Sequence, residues 1–296
     1  MRYTEQVMRP PQEATSLLVR ATQGCSYNLC SFCYVSRGYA FESVSMDWFE
    51  AETLRQKPFF PEDTRIYLTG SNPFALPFST LADFIAILRR HIPQFSELSL
   101  QSRIDDISRK TDTELVQLRD MGLTHLYIGV ENGNDVCLKR MQKGYTALQA
   151  VHELQRLDAA HIAYTTFYML GMGGAGTAEA CGRDTAMLFN QVHPRRITTT
   201  GLTVFPQTPL ARMVEEGLFQ EASEREKIEE LLIFLEVLDV DTFYDGIHYL
   251  NPLNYRFSNH DQGEKTRILN DIREVLHEYS SEDLEKMVSR TFMQSL

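Results

Sequence analysis

Short apolar runs with strand character alternate, along the first two thirds of the chain, with longer stretches whose apolar residues recur every three or four positions. Leu17–Ala21, Arg65–Thr69, Glu97–Gln101, His125–Val130, Ile162–Met169 and Arg196–Val204 are rich in aliphatic, aromatic and threonine residues and read as strands. Between them, Met46–Arg55, Thr80–His91, Thr111–Met121, Thr146–Ala159 and Ala178–Gln191 carry the helical period. Strands joined by crossovers of this length pair in parallel, because parallel neighbours need a long return path. The expected fold class is therefore α/β: a partial (β/α)6 TIM-type barrel, open on one side, with the loops at the C-terminal strand ends forming the active face. From about residue 205 the alternation is lost, and Ser223–Leu238, Gln262–Tyr279 and Ser281–Gln294 read as helices. The expected organisation is a barrel core over residues 1–210 and a mainly helical C-terminal cap over residues 211–296, packed on the barrel within one structural unit.

Composition narrows the class. At 296 residues, 43% hydrophobic and 23% charged, the chain can bury a large core and has the balance of a soluble globular enzyme. Its net charge of -11 argues against a general nucleic-acid binder, whose footprint is basic, while leaving room for a locally basic pocket. No apolar run approaches the roughly 20 residues that span a bilayer. The opening MRYTEQVMRPPQEATS lacks the apolar stretch of a secretion signal, so no membrane partner and a cytoplasmic location are expected. Five cysteines, an odd number with three clustered, fit a reducing compartment and a metal better than a disulfide framework. Cys137 and Cys181 stand alone inside helical stretches and read as small core residues.

The clustered cysteines lie in Gly24-Cys25-Ser26-Tyr27-Asn28-Leu29-Cys30-Ser31-Phe32-Cys33-Tyr34. Three thiolates from one short loop can hold three irons of a [4Fe–4S] cluster and leave the fourth open to a small molecule. That open iron makes a cluster a catalyst rather than an electron wire. A structural zinc site is the rival, but zinc normally takes a fourth Cys or His from a second pair, and His91 and His125 show no paired spacing. Free thiols are the remaining alternative.

Polar and glycine-bearing strings follow successive strands. In Leu68-Thr69-Gly70-Ser71-Asn72-Pro73 a glycine permits close backbone approach, and Ser71 and Asn72 offer hydrogen-bonding groups; the bland reading is a turn. Arg103 can pair with a carboxylate through its planar fork, or equally form a surface ion pair. Tyr127-Ile128-Gly129-Val130-Glu131-Asn132-Gly133 sets a carboxylate at a strand end, where Glu131 can accept both hydroxyls of a ribose; Asn132 or Asn134 is available as a helix cap. Leu170-Gly171-Met172-Gly173-Gly174 suggests a phosphate cradle or a plain strand-to-helix turn, and it lacks the lysine of a P-loop. His248, Tyr249, Asn251, Asn254, Tyr255, Asn259 and His260 cluster with little helical patterning, as functional lids and ordinary surface loops both do. Substrate contact is expected of His248 and Tyr249, and of Tyr34 and Arg37 by the cysteine loop.

The C-x4-C-x2-C spacing, with Phe32 just before the last cysteine, resembles the cluster loop of the radical S-adenosylmethionine (radical SAM) enzymes. Their commonest first gap is three residues; four is a known variant. The stretch from Gly122-Leu123 through Gly129–Gly133 to Leu138-Lys139-Arg140-Met141 and Lys143-Gly144 resembles the family's fourth-strand segment, with Asn132 at the usual serine. Phe205-Pro206-Gln207-Thr208-Pro209-Leu210 resembles its P-x-T-P-L segment, and the likeness spans roughly residues 10–210. The resemblance implies a [4Fe–4S] cluster on Cys25, Cys30 and Cys33, with S-adenosyl-L-methionine as the second cofactor. It implies Phe32 against the adenine, Gly70, Ser71 and Asn72 at the methionine amino group (where an acidic residue often found is absent), and Glu131 on the ribose. Leu170 and Gly171 would pass the adenine, and Arg103 would meet SAM's carboxylate or a substrate acid. The implied chemistry is one-electron cleavage of SAM to methionine and a 5′-deoxyadenosyl radical that abstracts hydrogen, fed by a flavodoxin- or ferredoxin-type reductant. The chain resembles the group labelled coproporphyrinogen-oxidase-like, a label that fixes no substrate. Few residues precede the first strand, which disfavours an N-terminal cobalamin domain. No cysteine follows Cys181, which disfavours auxiliary clusters, and no basic C-terminal extension supports tRNA methylthiolation. A small-molecule substrate is expected; modification of a macromolecule, or a non-catalytic Fe–S electron-transfer or sensor role, are the alternatives.

Overall fold

The computed structural model describes residues 7, 9–288 and 290. Its strands are β1 (Leu17–Arg20), β2 (Thr22–Gln23), β3 (Glu42–Ser43), β4 (Arg65–Thr69), β5 (Glu97–Ser102), β6 (Leu123–Glu131), β7 (Ala163–Leu170), β8 (Arg196–Gly201), β9 (Phe243–Asp245) and β10 (Arg256–Ser258). The main sheet has the order β1-β4-β5-β6-β7-β8-β9-β10, and β2 and β3 form a separate antiparallel pair. The class is α/β, with a mostly parallel sheet and helices in the crossovers, as the periodicity indicates. The chain forms two compact units: Met1–Asn28, Val35–Ile128 and Arg156–Tyr164 in one, Leu29–Tyr34, Gly129–Gln155 and Thr165–Leu296 in the other.

In the first unit β1, β4, β5 and β6 pair in parallel, with Leu17 opposite Ile66 and Ile66 opposite Leu98. β4 is buried along nearly its whole length, as a strand covered on both faces must be. The helix Phe78–His91 turns Leu81, Phe84, Ile85 and Leu88 inward, and Phe84 stacks on Phe49 of the helix Met46–Gln56 at 4.1 Å. Between β5 and β6 the register slips: Leu98 faces Leu123, but Ser99 faces His125. The extra residue, Thr124, serves both orphaned groups of Leu98, accepting from its N–H and donating to its carbonyl, each at 3.1 Å.

At the N-terminal end of these strands Glu13 is fully buried. Its Oε1 accepts from Tyr127 (2.6 Å), Ser99 (2.8 Å) and Arg65 (3.0 Å), and its Oε2 from Ser16. Burial pushes its pKa up, but the hydroxyl donors and Arg65 outweigh burial and hold it below the ordinary glutamate value.

In the second unit β7, β8 and β9 pair in parallel and β10 returns antiparallel. The helices Ala178–Phe189 and Glu224–Val237 pack closely at Gly182, where a Cβ would lie 2.7 Å from the Glu230 carbonyl. Phe234 meets Tyr168 at 4.7 Å and Phe189 at 6.2 Å. The C-terminal region is mainly helical but also contributes β9 and β10 to the sheet, which the sequence reading did not anticipate. Each has three residues and a single inward aromatic, Tyr244 or Phe257, too little to make an alternating pattern. The helices Glu224–Val237 and Gln262–Glu278 stand where expected. The one expected over Ser281–Gln294 stops at Glu285; of the remainder, residues 289 and 291–294 lie outside the described residues.

A carboxylate held below its ordinary pKa stabilises the fold above the unfolded value and loses that contribution as pH falls through the folded one. Glu13→Gln is therefore expected to lower stability at pH 7 by about 2 kcal/mol, read as a shift in urea midpoint. The gap to wild type should narrow below about pH 4, where the unfolded glutamate takes up its proton.

Candidate active site

In the first unit stand Cys25 and the loops that follow β4 and β5. Cys25 is half-buried. The next residue, Ser26, donates its N–H to Asn72 Oδ1 at 3.0 Å, and its Oγ accepts from Asn72 Nδ2 at 2.7 Å. Asn72 Nδ2 also donates to Asp106 Oδ2 at 2.8 Å, and that same oxygen accepts the Arg103 N–H at 2.9 Å. Asp106 is wholly buried, which raises its pKa against these stabilising donors. Gly70 holds φ +141°, and a Cβ there would collide with the Thr22 hydroxyl and approach its carbonyl to 2.9 Å, so only glycine fits where β4 ends. Ser71 shares a short hydroxyl–hydroxyl hydrogen bond with Ser36, beside half-buried Arg37. Arg103 lies over the Tyr27 ring at 4.0 Å and donates from Nε to Asp105 at 2.8 Å.

Leu29–Tyr34 lies in the second unit. Ser31 is fully buried and anchors this piece three ways: its N–H donates to the Met141 carbonyl (3.0 Å), its carbonyl accepts from Leu210 N–H (2.9 Å), and its Oγ accepts from Gln142 (3.3 Å). Cys33 N–H closes a turn onto the Cys30 carbonyl at 3.3 Å. The Tyr34 ring lies 4.5 Å from that of Phe205, so the rigid Phe205–Leu210 turn backs the loop through both Leu210 and Phe205.

Glu131 ends β6 with φ +67°, a left-handed conformation rare outside glycine and a frequent mark of a functional turn. Lys143, buried, has its ammonium 3.5 Å from the Glu131 carboxylate and 2.9 Å from the Gly129 carbonyl. The same ammonium lies 5.7 Å from the centre of the Phe32 ring, linking the ring before Cys33 to the strand-end carboxylate. Asn134 caps the following helix by accepting from Cys137 N–H at 3.1 Å, the capping role left open between it and Asn132.

Leu170 is buried at the end of β7, and its carbonyl accepts from Leu202 N–H at 2.8 Å. Gly171 follows with φ +76°; its N–H donates to Glu230 Oε2 at 3.0 Å, while Tyr168 donates to Glu230 Oε1 at 2.6 Å. Burial, with Cys181 nearby, pushes the Glu230 carboxyl up to about 8. His248 accepts from Leu250 N–H at Nδ1 (3.2 Å), lies 3.3 Å from Thr200 Oγ1 and stacks on exposed Tyr249 at 4.6 Å; burial lowers its pKa.

Lys143, Asp106 and Glu230 are the residues to which sequence reasoning gave no role. Lys143 stood inside a quoted motif, and a lone lysine in a turn was its only signal. Asp106 is the second of two adjacent aspartates, and Glu230 sits in the acidic run Glu229-Glu230 of an amphipathic helix.

The donor chemistry suits an iron–sulfur cluster: all five cysteines lie outside disulfides, and three come from one loop. Among the described residues no three His, Cys, Asp or Glu side chains already converge as a metal site. Cys137 and Cys181 are buried in a cluster with Met141, Met172, Leu202, Leu210 and Phe219, as core residues.

The profile of the Radical SAM superfamily matches residues 19–179, which include the cysteine loop and the ends of β4 through β7. Among curated proteins, tRNA-2-methylthio-N(6)-dimethylallyladenosine synthase of Xylella fastidiosa (strain M12) is 27% identical over 191 residues, 57% of this chain and 37% of that protein. Threonylcarbamoyladenosine tRNA methylthiotransferase MtaB of Thermotoga maritima is 24% identical over 236 residues, 77% of this chain and 52% of that protein. This chain thus spans about a third to a half of the length of these relatives. Among solved structures, coproporphyrinogen III oxidase (HemN) from Escherichia coli superposes with TM-score 0.59 at 18% identity, covering 75% of this chain and 52% of that one, a likeness of fold.

At Gly171 any side chain would be strained by the positive φ and would lie 2.9 Å from Lys227 Cε. Gly171→Ala is expected to destabilise the protein by about 1–3 kcal/mol, measured by chemical denaturation of the protein without cofactors.

Proposed function

The chain belongs to the radical SAM superfamily, and on that premise we propose that it binds a [4Fe–4S] cluster through Cys25, Cys30 and Cys33, cleaves SAM reductively and draws hydrogen from a small-molecule substrate. It is an enzyme, and its cofactors are a [4Fe–4S] cluster and S-adenosyl-L-methionine. Held by Cys25, Cys30 and Cys33, the cluster with SAM beside it would supply one-electron cleavage of SAM and, through it, hydrogen abstraction. The observation that carries the reading is the three-thiol loop inside the matched segment, followed there by polar groups at successive strand ends.

In this reading Glu131 accepts the two ribose hydroxyls, and Lys143 at 3.5 Å holds its carboxylate in place. Phe32 offers an aromatic face to the adenine, with Leu170 and the side-chain-free Gly171 along its edge. Gly70 and Ser71 approach the methionine end through backbone and hydroxyl. Arg103, oriented by Asp105 and Tyr27, meets a carboxylate of SAM or substrate. Tyr34, Arg37, His248 and Tyr249 are proposed to meet the substrate. A flavodoxin- or ferredoxin-type donor supplies the electron.

The net charge of -11 favours a small molecule over RNA. The tRNA-modifying activity in the relatives' names favours the second reading, a tRNA substrate. No described helix is long and apolar enough to cross a membrane.

Anaerobic reconstitution with iron and sulfide, then dithionite and SAM, is expected to yield 5′-deoxyadenosine, detected by chromatography. Cys30→Ala should abolish the cluster's charge-transfer absorbance and SAM cleavage together; cleavage by a cluster-free variant would refute the assignment. Glu131→Ala should keep its iron but bind SAM about tenfold or more weakly by calorimetry; unchanged affinity removes Glu131 from the site. Unfractionated tRNA at roughly 0.15 M salt should show no saturable binding, and tight binding would transfer the substrate assignment to RNA.

A further inference from the structure

Three loops of the first unit meet in a polar knot: the start of the cysteine loop at half-buried Ser26, the β4 loop at Asn72 and the β5 loop at Arg103–Asp106. Asn72 and Asp106 are both fully buried. A primary amide carries two N–H donors and an oxygen with two lone pairs. Asn72 directs one donor to Ser26 Oγ (2.7 Å) and one to Asp106 Oδ2 (2.8 Å), and its oxygen accepts Ser26 N–H (3.0 Å). Both its donors are therefore engaged within the protein, and the groups it holds belong to the residue directly after Cys25.

That grip has a geometric consequence. The Ser26 N–H lies in the plane of the Cys25–Ser26 peptide, which also contains the Cys25 carbonyl and both Cα atoms. Fixing the N–H direction and, three bonds from the nitrogen, the hydroxyl oxygen of the same residue orients this plane. With the plane oriented, the Cys25 sulfur is restricted to a few staggered positions about its Cα–Cβ bond. Asp106 braces the amide from behind: its Oδ2 bonds both Asn72 and the Arg103 N–H, so the amide cannot rotate without breaking a buried charge-assisted bond.

We propose that Asn72, braced by Asp106, is the positioning residue for Cys25, setting the peptide plane through which that thiolate is presented to the cluster. This rests on the reading of Cys25 as a cluster ligand. It gives Asn72 a task toward the cluster loop, where the family resemblance had implied contact with SAM.

The test is the half-life of the reconstituted cluster under an iron chelator, followed by absorbance, in wild type, Asn72→Ala, Ser26→Ala, Cys25→Ser and the double variant Asn72→Ala/Cys25→Ser. Thermal melts of the same proteins without cluster check that each is folded. Asn72→Ala is expected to shorten the half-life about tenfold, and Ser26→Ala, which removes one of the two holds, about threefold. In the Cys25→Ser background Asn72→Ala should add nothing, because there is no thiolate left to position. An equal further loss in that background would show that the amide supports the fold generally and would overturn the proposal. Wild-type half-lives in Asn72→Ala and Ser26→Ala would do the same. If Asn72→Ala fails to melt cooperatively, Ser26→Ala decides alone, since it leaves the Asn72–Asp106 pair intact. A wild-type half-life in Cys25→Ser would overturn the ligand reading of Cys25 itself, an outcome distinct from the others.

Discussion

Parallel pairing is the constraint from which the other features follow. A parallel strand cannot turn straight back, so each one here needs a helical return, and each return buries a face of the sheet. Strands paired this way end facing the same direction. In the first unit β4 and β5 so lead into Gly70 and Arg103; in the second, Glu131 ends β6 and Gly171 follows β7, each on a turn of its own. The residues at these turns owe their place to this repetition, and their identity to what each turn must accommodate.

Buried polar groups form a second layer behind those turns. Such groups are costly unless they are hydrogen-bonded, so each one fixes several partners. Asp106 ties Asn72 to Arg103, Lys143 ties Glu131 to Gly129, and Glu230 ties Gly171 to Tyr168. Lys143 and Glu230 come from outside the turns they hold, while Asp106 closes its own turn onto the Arg103 N–H and reaches across to Asn72. A turn held in this way can keep a left-handed conformation, as at Glu131 and Gly171, that it would not keep alone.

Much of this was legible in the sequence, for identifiable reasons. The six main strands and their crossover helices announced themselves because burial on one face or both imposes a period on residue type. The cysteine loop stood out because the spacing of three cysteines is a local property. β9 and β10 were not, since three residues with one inward aromatic carry no period. The anchoring residues escaped for another reason: burial of Asp106 rather than Asp105, or of Glu230 rather than Glu229, is decided by partners 34 and 59 positions away in sequence. Asn72 stood out as a polar residue just after β4, but nothing local could reveal that its amide faces inward.

The slip at Thr124 sets the phase of an entire strand. Side chains on a strand alternate between its two faces, so an offset of one exchanges them. With Thr124 accommodated as an extra residue, His125 and Tyr127 share the face of Ser99 and Gln101, and the Tyr127 hydroxyl reaches Glu13. Were the pairing uniform, Thr124, Leu126 and Ile128 would occupy that face instead. The carboxylate would then lose the Tyr127 hydroxyl and keep Arg65, Ser99 and Ser16. The hydroxyl of one threonine, by standing in for two missing ladder bonds, thus helps set how a buried negative charge is shared among its donors.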